Sequence, residues 1–128
     1  MSETIVDSSI VIDYLRGRRV AQEFLDGLRV RDELATHVVV VAEVPAGARN
    51  LQELIEIDRA VKVFRMVPIG AEDSFASLEL YKRHRLRDGV GWLDCLIAAT
   101  CVRMSLPIAT LNERHFQVFE GLRMVRPY

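Results

Sequence analysis

Asp7, Glu43 and Asp94 are three acids that stand alone in apolar surroundings. Asp7 closes the run Thr4-Ile-Val-Asp7, Glu43 follows Val38-Val-Val-Val41, and Asp94 sits in Gly91-Trp-Leu-Asp-Cys-Leu-Ile-Ala-Ala-Thr100. A carboxylate in such a setting loses solvation unless a cation meets it. Taken singly, Asp94 has a plain reading: an acid in the first turn is stabilised by the positive end of its helix. Three such acids from three apolar segments point instead to a metal site. Asn112 supplies a further oxygen two residues after Thr110. Hard oxygen ligands select Mg²⁺ or Mn²⁺. Such an ion would neutralise a phosphodiester, activate a water and stabilise the charge of an in-line displacement. Without metal, close carboxylates repel, and at least one of their pKa values must rise.

Strands alternating with helices have to position these groups. Thr4-Ile-Val-Asp7 reads as a buried strand with Asp7 at its carboxyl end, where open α/β sheets bind ligands. Ser8 and Ser9 before Ile10-Val-Ile-Asp-Tyr-Leu15 read as helix caps, or as a cap beside Asp7. Arg16-Gly17 ends that helix, and Ala21, Phe24, Leu25 and Leu28 form the inner face of the next. Leu34-Ala-Thr-His37 leads into Val38-Val-Val-Val41, which reads as a short buried strand or as the strand's end plus a helix start. Pro45 then requires the Glu43 helix to start near Val41 or to kink, because proline breaks the helical ladder. Asn50 can cap a helix with an apolar stripe of Leu51, Leu54, Ile55, Val61 and Phe64. Val67-Pro-Ile-Gly70 is extended. Ala71 to Leu86 is helical, with Phe75, Leu78 and Lys82 on one side. Leu93, Leu96, Ile97, Thr100, Cys101 and Met104 recur at helical spacing and predict the buried face of the Asp94 helix. Leu106-Pro-Ile-Ala-Thr110 and Leu122-Arg-Met-Val125 are further strands, and His115-Phe116 closes a short turn or helix. The alternation predicts an α/β fold with a mostly parallel sheet covered on both faces.

Composition sets the outer bounds. The 128 residues make one domain's worth of chain, 1–128, with half of them apolar, 27% charged and a net charge of −1. Nothing global advertises nucleic-acid binding, so RNA would be held by a local patch or through metal. Lys62 and Lys82 are the only lysines, and the remaining cations are arginines suited to bidentate phosphate contacts. Lys82, Arg83, His84, Arg85 and Arg87 cluster, as a solvated face or as a contact to phosphates. Cys95 and Cys101 are six apart on one helix, cannot bridge each other, and read as reduced core residues of a cytoplasmic protein. The polar start Ser2, Glu3 and Thr4 predicts neither signal peptide nor membrane span.

Five motifs in order carry a family resemblance. Ile5-Val-Asp-Ser-Ser-Ile-Val-Ile-Asp13 resembles the opening motif of PIN-domain proteins, and Val41-Ala-Glu-Val-Pro-Ala-Gly47 resembles their second. Gly91 to Thr100 is similar to the third, Ile108-Ala-Thr-Leu-Asn-Glu-Arg-His-Phe116 to the fourth, and Gly121-Leu-Arg-Met-Val-Arg-Pro-Tyr128 to a common ending. The size resembles the VapC toxins of bacterial toxin–antitoxin pairs. The resemblance implies a three-layer α/β/α fold and a Mg²⁺-dependent endoribonuclease, with Mn²⁺ as a substitute. It implies that Asp7, Glu43 and Asp94 are catalytic and, with Asn112, bind the metal. Ser9 and Thr110 would hydrogen-bond the acids from behind. Arg16, Arg83, Arg85 and Arg87 are the candidate RNA contacts. Cleavage would leave a 5′-phosphate and a 3′-hydroxyl. The implied partners are RNA, a VapB-type antitoxin that presents an arginine to the acids, and a second copy of the chain, docked through the helices after the second motif.

Three positions depart from the pattern. Asn112 stands where many relatives carry a fourth Asp, which keeps an oxygen and removes a charge. His37 replaces a small hydroxyl residue and reads as a structural or partly exposed histidine rather than a general base. Pro45 is unusual inside the second motif and would shift Glu43. Asn112 and Pro45 favour the alternative of a catalytically weak PIN module that mainly binds RNA or a protein. A phosphatase or receiver-like reading of Asp7 wants a second acid beside it and a late lysine. Ser8 and Ser9 follow Asp7 instead, and no lysine lies after Lys82.

Overall fold

The computed structural model describes residues 3–128. Ser2, counted above with the polar start, lies outside them. Strand β1 (Thr4–Val6) lies mid-sheet between β2 (Leu34–His37) and β4 (Ile108–Ala109), with β3 (Arg65–Val67) and β5 (Met124–Val125) outermost. Every pairing is parallel, with Ile5 in register with Ala35 on one side and Ile108 on the other. Ile5, Val6, Ile108 and Ala109 are wholly buried, as strands covered on both faces must be.

The chain runs from β1 through β2 to the β3 edge, then crosses back to set β4 on the other side of β1. Right-handed crossovers in opposite directions place helices on opposite faces of the sheet. One face takes α1 (Ser8–Leu15), α2 (Arg19–Val30), α3 (Val38–Glu43) and α4 (Leu51–Val61). The other takes α5 (Ala71–Asp88) and α6 (Trp92–Met104), and α7 (Glu113–Phe116) links β4 to β5. These are the three layers expected, around a sheet that is parallel throughout. The strand order reverses between β1 and β4, and the carboxyl ends of strands flanking such a reversal form a crevice.

Helix α3 starts at Val38, earlier than the sequence suggests. β-branched residues are stiff in helices, yet the His37 ring caps this one, Nδ1 accepting from the Val39 N–H at 3.0 Å. Val39 and Val40 then turn into the core. Pro45 neither kinks α3 nor delays it. It falls past the helix end, at the start of a 3₁₀ turn over Val44–Gly47, where its missing N–H is not needed.

Helix α4 is capped as expected, Asn50 Oδ1 accepting from the Glu53 N–H at 2.9 Å. Asn50→Ala should cost about 1 kcal/mol in chemical denaturation. An unchanged midpoint would mean that the cap contributes nothing. The apolar stripe is a different matter. Val61 and Phe64 are buried, but Leu51 is 71% exposed, and Leu54 and Ile55 also face solvent.

Helix α5 presents the side that carries Phe75, Leu78 and Lys82 to solvent. Phe75 is 74% exposed and Leu78 faces solvent, while Asp73, Ser77 and His84 are buried. The inner face is polar because polar partners wait there. The Trp92 indole N–H donates to Ser77 Oγ at 3.0 Å, and His84 Nδ1 lies 2.8 Å from Asp88 Oδ2 with its ring edge-on to Phe119. His84 therefore leaves the basic cluster. On α6, Leu96, Ile97, Thr100 and Cys101 are core as expected, whereas Leu93 and Met104 at its two ends are exposed. Cys95 and Cys101 are free and buried, and burial pushes their thiols up to about 11 and about 12. Tyr128 returns to α1, its hydroxyl donating to Asp13 at 2.8 Å beneath the Arg18 guanidinium. Among the described residues, no helix is long and apolar enough to cross a membrane.

Candidate functional site

The crevice at the strand reversal collects the acids. Asp7 directly follows β1 and is the N-cap residue of α1, but its carboxylate does not cap that helix. It turns toward β4, where Thr110 Oγ1 donates to Asp7 Oδ2 at 2.7 Å and Ser9 Oγ donates to the same oxygen at 3.2 Å. Both hydroxyls are themselves held. Thr110 Oγ1 accepts from the Asn112 N–H at 2.9 Å, and Ser9 Oγ accepts from the Leu111 N–H at 3.2 Å. The serines are thus not helix caps. Ser9 ties the first acid to the loop after β4, and Asp7 is only 4% exposed.

Asp94 lies in the first turn of α6, half-buried, and Glu43 ends α3 on the outer rim. Loss of hydration raises the pKa of Glu43, and the negative charges of Asp94 and Asp7 raise it further. Asp94 is raised by burial and then by Asp7, while His115 pulls it back. The three acids from β1, α3 and α6 therefore share one electrostatic neighbourhood, and the rise expected of crowded carboxylates is present. They are not a closed cage: among the described residues, no three His, Cys, Asp or Glu side chains are gathered into a ready metal site. The donor set is all oxygen, which fits Mg²⁺ or Mn²⁺ rather than zinc or copper.

His115 is the member that the sequence reading passed over. Its Nδ1 lies 3.4 Å from Asp94 Oδ2, and the ring is mostly exposed. It stands three residues after Asn112, one helical turn on in α7, so it returns to the same side. Asn112 itself is exposed, and its contact with the cluster runs through its backbone.

The arginines separate. Arg16 shares a cleft with Glu43, Arg49 and Glu53, walled by Ile12, Leu15 and Ile57. Arg83, Arg85 and Arg87 lie on the exposed side of α5. Arg85 stacks over Tyr81 and Arg87 lies 3.6 Å from Asp88, so both are partly engaged already. Asp88 and His115 line one concavity with Arg114 and Gln117, which brings the end of α5 to the Asp94 side of the crevice.

The family model described as the PIN domain matches residues 4–121. The chain belongs to the PIN-domain family. Within that family it is similar to Ribonuclease VapC10 of Mycobacterium tuberculosis, 37% identical over 122 residues that span 93% of this chain and 90% of the relative. Two solved structures share the PIN-domain fold. One is a DNA-bound VapBC from Salmonella typhimurium, with TM-score 0.84, 17% identity and all of both chains covered. The other is a toxin–antitoxin complex from Klebsiella pneumoniae, with TM-score 0.78, 24% identity and 98% of both chains covered.

Proposed function

We propose that this PIN domain is a Mg²⁺-dependent endoribonuclease, the toxin of a type II toxin–antitoxin pair, acting in the cytoplasm. The observation that carries the reading is the electrostatic coupling of Asp7, Glu43 and Asp94 at the strand reversal, in a chain 37% identical to a protein named a ribonuclease. When bound, Mg²⁺ or Mn²⁺ would lower the pKa of a water and offset charge building on phosphorus.

The chain's own residues divide the remaining work. Thr110 and Ser9 occupy one oxygen of Asp7 and fix its rotamer, which leaves the other oxygen to face a cation. Glu43 and Asp94 supply the other two charges, and His115 orients Asp94 from the open side. Asn112 adds a neutral oxygen at the rim. Arg16 stands beside Glu43 to meet a phosphate of RNA, and Arg83, Arg85 and Arg87 extend that contact along α5. Solved structures of the same fold are titled as VapBC and toxin–antitoxin complexes, which supports a VapB-type antitoxin as partner. The cleft beside Glu43 is where an antitoxin arginine would reach the acids. The exposed Leu51, Leu54 and Ile55 of α4 support a homodimer through the helices after the second motif.

The test is cleavage of a mixed cellular RNA pool with Mg²⁺, Mn²⁺ or chelator, beside Asp7→Asn. Metal-dependent cutting that the variant lacks, with 5′-phosphate ends, is the expected result. A second reading, the weakly catalytic binding module, draws on the open spacing of the acids and the exposed, uncharged Asn112. It is favoured if folded, antitoxin-free protein binds Mn²⁺ poorly and cuts no RNA.

A further inference from the structure

A chain of buried hydrogen bonds joins the helices that carry Glu43 and Asp94. It begins at His37, which is fully buried. Because Nδ1 accepts from the Val39 N–H, the proton of the neutral ring is on Nε2. Nε2–H therefore donates to Thr100 Oγ1, 2.9 Å away. That direction commits the Thr100 hydroxyl hydrogen elsewhere, and it donates to Asp73 Oδ2 at 2.8 Å, with Leu96 O at 3.1 Å beside it. Asp73 is anchored in turn by the Gly70 N–H at 2.7 Å and by Arg103 through Nε at 2.6 Å and Nη2 at 3.0 Å. His37, Thr100 and Asp73 are at most 1% exposed. No buried side-chain nitrogen or oxygen among the described residues lacks a partner.

The two ends of this chain matter to the acids. His37 caps α3, whose last residue is Glu43. Thr100 is six residues after Asp94 on α6, about 9 Å along one rigid helix. α3 and α6 also come into contact. α3 has only six residues, so the residue that caps it, and what that residue is fixed to, bear directly on its angle.

We propose that the His37–Thr100–Asp73 hydrogen-bond chain sets the separation of Glu43 from Asp94, which makes Thr100 a positioning residue of the metal site. The inference rests on the nuclease reading above. It adds that carboxylate spacing is controlled from the side of the helices remote from solvent.

The test pairs Thr100→Val, which keeps the volume and loses the hydroxyl, with Thr100→Ser, which keeps the hydroxyl and loses a methyl. Leu25→Ala on α2 is a control that destabilises without touching the hydrogen-bond chain. Mn²⁺ affinity is measured by calorimetry, and kcat and KM on an RNA that the wild type cuts. Thr100→Val should weaken Mn²⁺ binding about 10-fold or more and lower kcat similarly with KM unchanged, the range seen when a ligand's supporting hydrogen bond is removed. Thr100→Ser and Leu25→Ala should keep wild-type affinity although both melt earlier. If Thr100→Val does not fold, His37→Asn cuts the same link from the other side. Its amide oxygen still caps Val39 but is too short to reach Thr100, and it should show the same loss. Wild-type Mn²⁺ affinity in the folded hydroxyl-less or His37 variant, or an equal loss in Leu25→Ala, overturns the positioning role while leaving the nuclease intact. A wild type that binds no Mn²⁺ overturns the nuclease reading, and the inference with it.

Discussion

Asp94→Asn should lower kcat by at least about 100-fold, close to 3 kcal/mol of barrier, while the metal-free protein melts at the same temperature or higher. The amide keeps an oxygen in place and removes the charge. On the nuclease reading, cleavage would need that charge to hold a divalent cation, whereas folding is opposed by it. Asp94 and Glu43 both titrate above the usual carboxylate range, through burial first and neighbouring negative charge next. A raised folded pKa means that the native state binds protons more readily than the unfolded chain. Those two groups therefore withdraw stability as pH rises through their titration. The variant lacks one of them and should lose less. Full activity in folded Asp94→Asn would remove the residue from the mechanism. A lower melting temperature would mean that the contact with His115 at 3.4 Å outweighs the repulsion.

Acidification from pH 6.5 to 4 should cost the fold about 3 kcal/mol through His37 alone. Burial pushes this imidazole down from its ordinary 6.5 to about 4, against a smaller upward pull from Asp73. Between those values the unfolded chain carries a proton that the native state refuses. The contribution is complete above pH 6.5 and is lost as pH falls toward 4. A gap of about 2.5 pH units at 1.36 kcal/mol each gives the estimate. The physical event is specific: a proton on Nδ1 would point at the Val39 N–H that this nitrogen now accepts, and the start of α3 would open. Denaturation at a series of pH values, beside His37→Asn, measures it. The variant should be less stable at neutral pH but flatter between pH 6.5 and 4. Parallel curves for the two proteins would assign the acid loss to other groups.

The sheet and the grouping of acids were readable because both follow from local pattern. Thr4 to Asp7 and Leu106 to Thr110 are apolar runs ending in a polar residue, and parallel strands put such ends on one side. The orientation of α5 was not readable. Its apolar Phe75 and Leu78 point outward while Asp73 and His84 point inward, since Asp73 meets Arg103 30 residues away and Thr100 27 residues away. Nothing near Asp73 in sequence announces those partners. His37 is the same case, with Thr100 63 residues on. The four valines left strand and helix start both open, and the helix start is what forms. Their intrinsic preference for strand is real but small, and a cap with two buried neighbours overrides it. The α4 stripe of Leu51, Leu54 and Ile55 was read correctly as an amphipathic face, but nothing within the described chain covers it.

The order in which this chain is made bears on when it can act. β1 is completed within the first residues, yet one of its two neighbours is β4, with Ile5 paired to Ile108. Thr110, which fixes Asp7, is 103 residues downstream. A growing polypeptide emerges at about 5–20 residues per second and folds from its N-terminal side. For most of that time Asp7 lacks β4 beside it, the Thr110 hydroxyl that holds it, and Asn112 and His115 across the crevice. On the nuclease reading proposed above, the site of a nascent chain would stay incomplete until its last fifth has been translated.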